Sequence, residues 1–592
     1  MVNDVKAGRL SRRSFVQLMV GLGLTAPMAA QMLASAGVAQ AQPRPRSSFA
    51  PTKRGGGGML KVLWWQAPTL LNPHFAVGTK DQDGSRIFYE PLGAYDPEGN
   101  VFPVLAAEIP SLQNGGVSKD GTSVTWKLEK NVAWHDGKPF TAADVVFNWE
   151  YVMEPGAAAT TQGQYRDIKT IDKLDAHTVK ITYKQPMPFW STAFCGPTGM
   201  LIPKHLFEAF KGGKSREAPT NLKPVGTGPY KFVDFKPGDI VRGEINTNYH
   251  AANRPFFDQI EMKGGGDAAS AARAVLQTGE YDFAWNMQVA DDILKRLEQS
   301  GKGHVDIAPA GNMEHIQCNQ TDPWTEVDGE RSSAKTKHPF LLDPAVRQAL
   351  NLLVDRASIH EEIYGRQGKS TANFLNAPER FRSKNMKWEF SVEKANQILE
   401  TGGWKRGADG IRAKDGKKLK MVYQTSINPE RQKCQQIVKQ AAAKAGIELE
   451  LKSVVASVYF SSDAANPDTY SHFYTDIQMY NTTMTQSDPQ RFMDQFTSWE
   501  IAAKDNKWQG RNITRWKNDD YDRAYRAAES EMDPVKRAAH LVRMNDLVIQ
   551  NIVVIPVLWR NVVAATSNRL KAVDLSGWDS FLWHLAYWHR EA

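Results

Sequence analysis

The sequence predicts an α/β fold with more than one lobe, and two observations lead to that prediction. The first is a strand–helix–strand segment: residues 419–424 and 447–452 alternate apolar and polar side chains, and a helix from Pro429 to Ala445 lies between them. The short connections indicate a crossover unit, in which the two strands are parallel neighbours. The second is the length of 592 residues, which is long for a single domain.

Helix start signals support the prediction of helices elsewhere in the chain. Thr141 and Asp144 form a capping box ahead of an apolar stripe. Asp343-Pro344, Asn428-Pro429 and Asp533-Pro534 each combine an N-cap residue with proline at the first helical position. These signals predict four helices, and the third of them is the helix of the crossover unit.

Residues 1–41 have the pattern of a twin-arginine signal peptide. Ser11-Arg12-Arg13-Ser14-Phe15 places an aromatic residue two positions after a pair of arginines. The apolar stretch from Val16 to about Met32 is short and glycine-rich, so it does not predict a membrane span. Ala39-Gln40-Ala41 offers the small residues that a signal peptidase recognises, which predicts cleavage near Ala41. A chance pair of arginines before an apolar helix is the alternative interpretation.

The predicted location of the mature protein is the periplasm. The first cysteine is Cys195, so no cysteine near the cleavage site could carry a lipid anchor. No later segment approaches eighteen uninterrupted apolar residues, the length expected of a membrane-spanning helix. We therefore expect a soluble protein that the twin-arginine translocase exports. Residues 42–58 are rich in proline, serine, arginine and glycine, which predicts a flexible leader before folded structure begins near Met59.

The composition is that of an ordinary globular protein, with 41% hydrophobic and 23% charged residues. The formal net charge of +8 is spread along the chain without a basic block, so nucleic-acid binding has no support. Three widely spaced cysteines exclude a disulfide framework, and no C-x-x-C motif indicates metal or redox chemistry. The 13 histidines are dispersed, and we expect neither a metal site nor a cofactor.

The candidate catalytic motifs each lack an essential residue. Gly368-Lys369-Ser370 resembles the end of a phosphate-binding loop, but that motif requires glycine where Ile363 stands. His360 begins a near match to a zinc-protease helix, but Tyr364 replaces the second histidine ligand. Ser391-Val392-Glu393-Lys394 matches S-x-x-K without its accompanying motifs, and its serine is better explained as a helix N-cap. The sequence therefore predicts that the protein is not an enzyme, with an exported hydrolase of unfamiliar motifs as the alternative.

One segment carries a resemblance to a known family. Residues 133–146, AWHDGKPFTAADVV, closely resemble the signature of the extracellular solute-binding proteins of family 5, the peptide- and nickel-binding receptors of ABC importers. Further blocks of that family occur in the expected order along the chain. They are LIPKHLFE (201–208), PVGTGPYKF (224–232), AVLQTGEYDFAW (274–285), DPAVRQALNLLVDR (343–356), ANQILETGGW (395–404), DDYDRAYRAAESEMDPVKRAAHL (519–541) and VIPVLW (554–559).

The resemblance implies a two-lobed periplasmic-binding-protein clam-shell of type II, in the large cluster with an extra subdomain. Lobe I would comprise residues 59–308, with an inserted subdomain at about 98–222, and would be completed by residues 553–592. Lobe II would span residues 309–552. Such receptors bind a solute in the cleft, close about hinge strands and deliver the solute to separate ABC permease and ATPase subunits. We expect the receptor to be a monomer.

The resemblance also bears on the ligand. In the family's peptide receptors, an aspartate just upstream of an acidic residue–proline pair meets the charged amine of the ligand. Asp488-Pro489 matches that pair, but the amine-binding position falls on Thr485. Burying an ammonium in a closed cleft without a carboxylate is costly. The neutral set Tyr480, Asn481, Thr482 and Thr485 would instead suit the hydroxyls or amides of oligosaccharides, opines or modified peptides.

Four further residues complete the predicted ligand site. Trp65 and Trp285 follow predicted strand ends and would offer flat stacking surfaces, although each is equally well explained as a core residue. His74 lies in the loop after the first strand, and Asp488 would meet an amine only if the alignment slips. A peptide-like solute is the first hypothesis, and an oligosaccharide or opine is the second. The third hypothesis is a role outside transport, as an exported enzyme or a sensory partner.

Overall fold

The computed structural model describes residues 49–461, 463–484 and 486–591, together with Phe15 and Met19. The rest of the predicted signal peptide, including the cleavage site near Ala41, lies outside the described residues, and so does Thr485. Within the described ranges, no helix combines the length and the apolar character needed to cross a membrane.

A mixed sheet of eleven strands runs through the described part of the chain and connects two lobes. In spatial order its strands are Glu448–Val454, Lys420–Ser426, Ile477–Met484, Gly303–Cys318, Val554–Ser567, Phe283–Ala284, Met59–Trp64, Gln259–Gly264, Ile240–Ile245 and Tyr230–Lys236, with Gly368–Ser370 added to Val554–Ser567. The first three strands of this order belong to the second lobe, and the last five belong to the first lobe.

Two long antiparallel strands, Gly303–Cys318 and Val554–Ser567, pass through both lobes. Their register shifts between Ala308 and Asn312. Before the shift, residues 303–308 pair with residues 562–567 on the side of the first lobe, and after it, residues 312–317 pair with residues 554–560 on the side of the second lobe. A strand pair that crosses between lobes in this way is a hinge. The predicted return of the chain to the first lobe, at residue 553, lies directly before the second of these strands.

The predicted crossover unit is confirmed. Lys420–Ser426 and Glu448–Val454 are parallel neighbours, and helix Pro429–Lys444 connects them. The apolar side chains of the two alternating patterns are buried, as Met421 and Leu449 illustrate, except for Leu451, which is half-buried. Because side chains of a strand alternate between its two faces, this pattern was sufficient to place both strands in the core.

The four predicted helix starts are present, and each cap residue accepts a hydrogen bond from a backbone N–H of the first turn. Thr141 and Asp144 form the predicted capping box. The described α-helices are Thr79–Arg86, Ala142–Met153, Lys204–Phe207, Ala268–Leu276, Asp291–Glu298, Pro344–Leu352, Arg356–Ile359, Val392–Thr401, Pro429–Lys444, Ala456–Tyr459, Asp519–Ser530 and Pro534–Gln550.

An inserted subdomain extends the first lobe. Its antiparallel sheet has the strand order Ser123–Lys127, Thr178–Tyr183 and Ile168–Asp175, and helix Ala142–Met153 packs beside it. The segment 133–146 follows strand Ser123–Lys127 and contains the start of this helix.

The conspicuous aromatic residues of that segment have structural roles. Trp134 is buried, with its ring centroid 5.7 Å from that of Phe140. The ring of His135 accepts a hydrogen bond from the backbone N–H of Gly226 at 3.1 Å and pairs with a backbone carbonyl at 3.0 Å. A Cβ at Gly226 would lie 1.8 Å from the carbonyl oxygen of Phe88, so only glycine fits this close approach.

The prediction of a flexible leader through residue 58 is wrong for residues 54–58. The Arg54 guanidinium donates to the carbonyl of Tyr249 at 2.6 Å. Asp258 accepts from two glycine N–H groups of the leader, both at 2.8 Å. The segment has almost nothing apolar to bury, but its backbone groups are paired with the loop before strand Gln259–Gly264, and these hydrogen bonds hold it.

Candidate ligand-binding cleft

A cavity of 830 Å³ lies between the two lobes. The first lobe contributes the start of helix Thr79–Arg86, the subdomain loop 155–166 and residues 285–288. The second lobe contributes strand residues 480–483 and the loop 500–511. The volume lies within the range of small-molecule binding sites, and such sites are commonly found between lobes or domains.

One strand of the second lobe has an unpaired edge at this cavity. Ile477–Met484 pairs along its whole length with the hinge strand Gly303–Cys318. On its other side it pairs with Lys420–Ser426 only as far as Met479. In the described part of the chain no strand continues that pairing from Tyr480 onward, and the following residues line the cavity. An extended ligand could therefore add its own backbone to this edge.

The side chains of this strand that line the cavity are polar and neutral. Burial raises the pKa of Tyr480, and its hydroxyl accepts a hydrogen bond from Gln317 at 3.0 Å. Asn481 donates to Thr483 at 3.1 Å, but the Asn481 amide oxygen has no partner among the described residues. Thr482 is half-buried and lines the cavity beside them. The structure thus places Tyr480, Asn481 and Thr482 together on the cavity wall.

Trp285 reaches the cavity from the first lobe, whereas Trp65 does not. Trp285 is 2% exposed, and no described residue accepts a hydrogen bond from its indole N–H. The Trp65 ring packs against it with centroids 5.4 Å apart and donates to the carbonyl of Asn286 at 2.9 Å. Trp65 therefore lies behind the cavity wall and supports Trp285 and Asn286, which line the cavity.

The structure contradicts the expected place of His74 in the cleft. The side chain is fully buried and does not line the cavity. Its ring nitrogens pair with Thr161 at 2.9 Å and with Asn148 at 3.0 Å. Burial lowers the pKa of His74 to about 4. The neutral ring therefore ties the loop after the first strand to the inserted subdomain.

Asp488 is likewise engaged inside the protein and does not line the cavity. Its carboxylate accepts two hydrogen bonds from Arg537, at 2.5 and 2.8 Å, and one from the backbone N–H of Gln490 at 2.9 Å. Burial alone would raise the pKa of Asp488, but Arg537 and these hydrogen bonds bring it below its ordinary value. The carboxylate is therefore already paired and does not replace the amine-binding acid.

A charged cluster that crosses the cleft was missed by sequence reasoning. Arg166 of the inserted subdomain donates to Glu500 at 2.6 Å, to Asp494 at 3.2 Å and to the Tyr525 hydroxyl at 3.0 Å. Although burial alone would lower the pKa of Arg166, the surrounding acids, Asp494 foremost, raise it. The partners lie more than 300 positions away in the sequence, so no local spacing signals this cluster.

A second arginine at the cavity, Arg431, is held by a buried acid. Its guanidinium donates to Glu314 at 3.0 and 3.1 Å, and Arg560 donates to the same carboxylate at 2.8 Å. All three side chains are almost fully buried.

As for metals, no described group of three or more histidine, cysteine, aspartate or glutamate residues is arranged to hold an ion.

Comparison with known proteins identifies the family. Residues 100–504 match the sequence profile of the bacterial extracellular solute-binding proteins, family 5 Middle. The chain belongs to this family. Its members are solute-binding receptors rather than enzymes.

Relatives and solved structures agree with this membership. The chain is 28% identical to the oligopeptide-binding protein AppA of Bacillus subtilis over 489 residues, 81% of either chain. It is 26% identical to the glutathione-binding protein GsiB of Pectobacterium atrosepticum over 388 residues, 66% of this chain and 68% of that protein.

Two solved structures share the fold at low sequence identity. The AppA structure with a nonapeptide has a TM-score of 0.77 at 24% identity and covers 92% of this chain and 100% of AppA. NikZ of Campylobacter jejuni in complex with Ni(L-His) has a TM-score of 0.75 at 23% identity, covering 90% and 99%. The predicted two-lobed clam-shell is therefore confirmed.

Proposed function

We propose that this protein is the periplasmic binding component of an ABC importer, which captures a peptide-like solute between its lobes and delivers it to a membrane permease. The observation that carries the proposal is the unpaired strand edge at residues 480–483, on the wall of a cavity between the lobes. An edge of this kind offers backbone N–H and C=O groups to any ligand with an extended peptide backbone. Relatives named for oligopeptide and glutathione binding support the same ligand class.

Contacts between the lobes support capture by closure. Asn428 of the second lobe donates to Gln288 of the first lobe at 2.5 Å. Ser487 donates to the carbonyl of Gly99 at 2.9 Å, and Arg166 bridges to Glu500. These contacts join the two lobes, as capture by closure requires.

We further propose that the receptor is exported by the twin-arginine translocase, is cleaved near Ala41 and acts as a soluble periplasmic monomer. Its further partners would be the permease and ATPase subunits of the importer. The export route is supported by the paired arginines of the signal sequence. Cys195, Cys318 and Cys434 are all free thiols, so the fold does not depend on an oxidising compartment. The lobe assignment 59–308, 309–552 and 553–592 belongs to the same proposal.

An oligosaccharide or opine is the second candidate ligand. Hydroxyl and amide side chains at 480–483, together with the Trp285 ring, would also suit a sugar. The edge of the strand favours the peptide-like solute, because a sugar has no backbone to pair with it.

Native mass spectrometry and thermal melting test the proposed function. Purified receptor is mixed with a short-peptide library or with an oligosaccharide set, and retained ligands are identified by mass. A ligand at a hundredfold excess over its Kd adds about 2.7 kcal/mol of stability, which a melting curve detects. We expect retention and a raised Tm with peptides. Retention of oligosaccharides alone would favour the second candidate, and turnover of any substrate would refute the receptor role.

A further inference from the structure

We propose that the ligand is a peptide-like solute whose amino end is blocked, so that an amide rather than a free ammonium meets the neutral strand residues 480–483. This inference rests on the proposed function and narrows its ligand class. It follows from the acids, the bases and the unpaired polar atoms of the cavity wall.

Each carboxylate of the described cavity wall is either paired with an arginine or exposed to water. Three described lining residues are acidic: Asp494, Glu500 and Asp505. Asp494 and Glu500 both pair with Arg166 from the opposite lobe, and Asp494 also accepts a hydrogen bond from Tyr525. Asp505 is exposed, where an ion pair contributes little. A ligand ammonium would have to displace Arg166 and break the contact between the lobes.

The charged residues of the cavity wall also give no attraction for a ligand ammonium. Five described lining residues are basic: Lys80, Arg166, Arg431, Lys507 and Arg511. They outnumber the three acids, and although Arg431 is paired with Glu314 and Lys80 with Asp81 behind the wall, no excess of negative charge remains to attract a cation. An ammonium loses its hydration on entering the cavity. The one buried acid among the described lining residues, Asp494, has an oxygen without a hydrogen-bond partner, but Arg166, Arg491 and Arg511 lie 3.2, 3.8 and 3.9 Å from its carboxylate and already compensate its charge.

The buried polar atoms of the cavity wall that lack hydrogen-bond partners are complementary to an amide group. The Trp285 indole supplies a donor without an acceptor, and the amide oxygens of Asn481 and Gln164 and one carboxylate oxygen of Asp494 supply acceptors without a donor. A secondary amide of the ligand carries both complementary groups, an N–H and a C=O, without a charge. Buried polar atoms of this kind are costly to leave unpaired, so their satisfaction favours the ligand that provides both groups.

A competition experiment with four matched peptide libraries tests the inference. Random tripeptides are prepared with a free or an acetylated amine, and with a free or an amidated carboxylate. Retained peptides are counted by native mass spectrometry, and affinities are measured by titration calorimetry. We expect acetylated peptides to bind at least tenfold more tightly than their free-amine counterparts at either carboxyl end. The two carboxyl forms separate the effect of the amine from the effect of net charge.

Substitution of Thr482 provides the matched variant. Thr482→Asp places a carboxylate on the unpaired stretch and should raise the affinity for free-amine peptides at least tenfold, whereas the neutral Thr482→Asn should not. Melting curves confirm that both variants are folded. Tighter binding of free-amine peptides by the wild type would overturn the inference and leave the proposed function standing. Failure of all four libraries would overturn both.

Discussion

Two titratable residues close to the cleft are fully engaged inside the protein. His74 pairs with Thr161 and Asn148, and Asp488 forms a bidentate ion pair with Arg537. In a low-dielectric interior such paired groups are costly to separate. Both residues therefore fix the frame around the cavity and are not available to a ligand.

Protonation of His74 should make the stability of the protein depend on pH. Burial lowers its pKa from 6.5 to about 4, so the unfolded chain binds this proton at a higher pH than the folded protein does. The stabilising contribution of the neutral ring is complete above pH 6.5 and is lost as the pH falls through 4. A shift of this size corresponds to a loss on the order of 3 kcal/mol.

Urea unfolding above pH 6.5 and near pH 4 measures this contribution. His74→Gln should make the pH profile less steep in that interval, by the share that His74 contributes beside His135, His315 and His472, whose pKa values burial also lowers, although it lowers stability throughout. His540→Gln, at a half-buried position on helix Pro534–Gln550, serves as the control and should leave the profile unchanged. Parallel profiles for the wild type and His74→Gln would refute the prediction.

At the scale of elements, a buried charge cluster joins the two hinge strands to helix Pro429–Lys444. Glu314 lies on one hinge strand and Arg560 on the other, and Arg431 belongs to the first turn of the helix. Burial alone would raise the pKa of Glu314, but Arg431 and Arg560 keep it below its ordinary value. The carboxylate thus holds together two guanidinium groups that would otherwise repel each other.

Glu314→Gln should lower the free energy of unfolding by about 3–5 kcal/mol, because it leaves buried arginine charge uncompensated. Thermal and urea unfolding of the variant measure this loss. Glu108→Gln is the matched control, since Glu108 pairs with Lys127 at 2.9 Å on the surface. The control should change stability by less than about 1 kcal/mol. Similar losses in both variants would show that the buried cluster contributes no more than a surface pair.

The elements that sequence reasoning placed correctly are those whose signals are local. The capping box at Thr141 is specified within four residues, and each strand of the crossover unit at 419–452 is specified by three apolar residues at alternate positions. Tyr480, Asn481 and Thr482 were identified through the family resemblance and line the cavity, whereas Thr485, from the same set, lies outside the described residues. His74 and the leader at 54–58 were misplaced because their partners lie far along the chain. Local composition does not reveal such partners.

At the scale of the whole molecule, the contacts between the lobes depend on charge pairs that no local pattern encodes. Arg166 and Asp494 are 328 positions apart in the sequence. The neighbouring residues Asp167 and Arg491 form a second pair between the subdomain and the second lobe. Both pairs form only when the lobes are close together. They therefore stabilise the closed state relative to the open state.

Arg166→Met should therefore weaken ligand binding through its effect on closure. It leaves Asp494 and Glu500 without their partner across the cleft, and we expect affinity for the retained ligand to fall about tenfold or more, which corresponds to about 1.4 kcal/mol. The loss should appear mainly as faster dissociation, because contacts made after closure hold the ligand in place. Stopped-flow binding and small-angle scattering measure the rate and the compaction on ligand addition. Lys169→Met, on the exposed surface of the same subdomain, is the control and should change neither. Unchanged dissociation and compaction in Arg166→Met would mean that the hinge strands and the ligand alone determine closure.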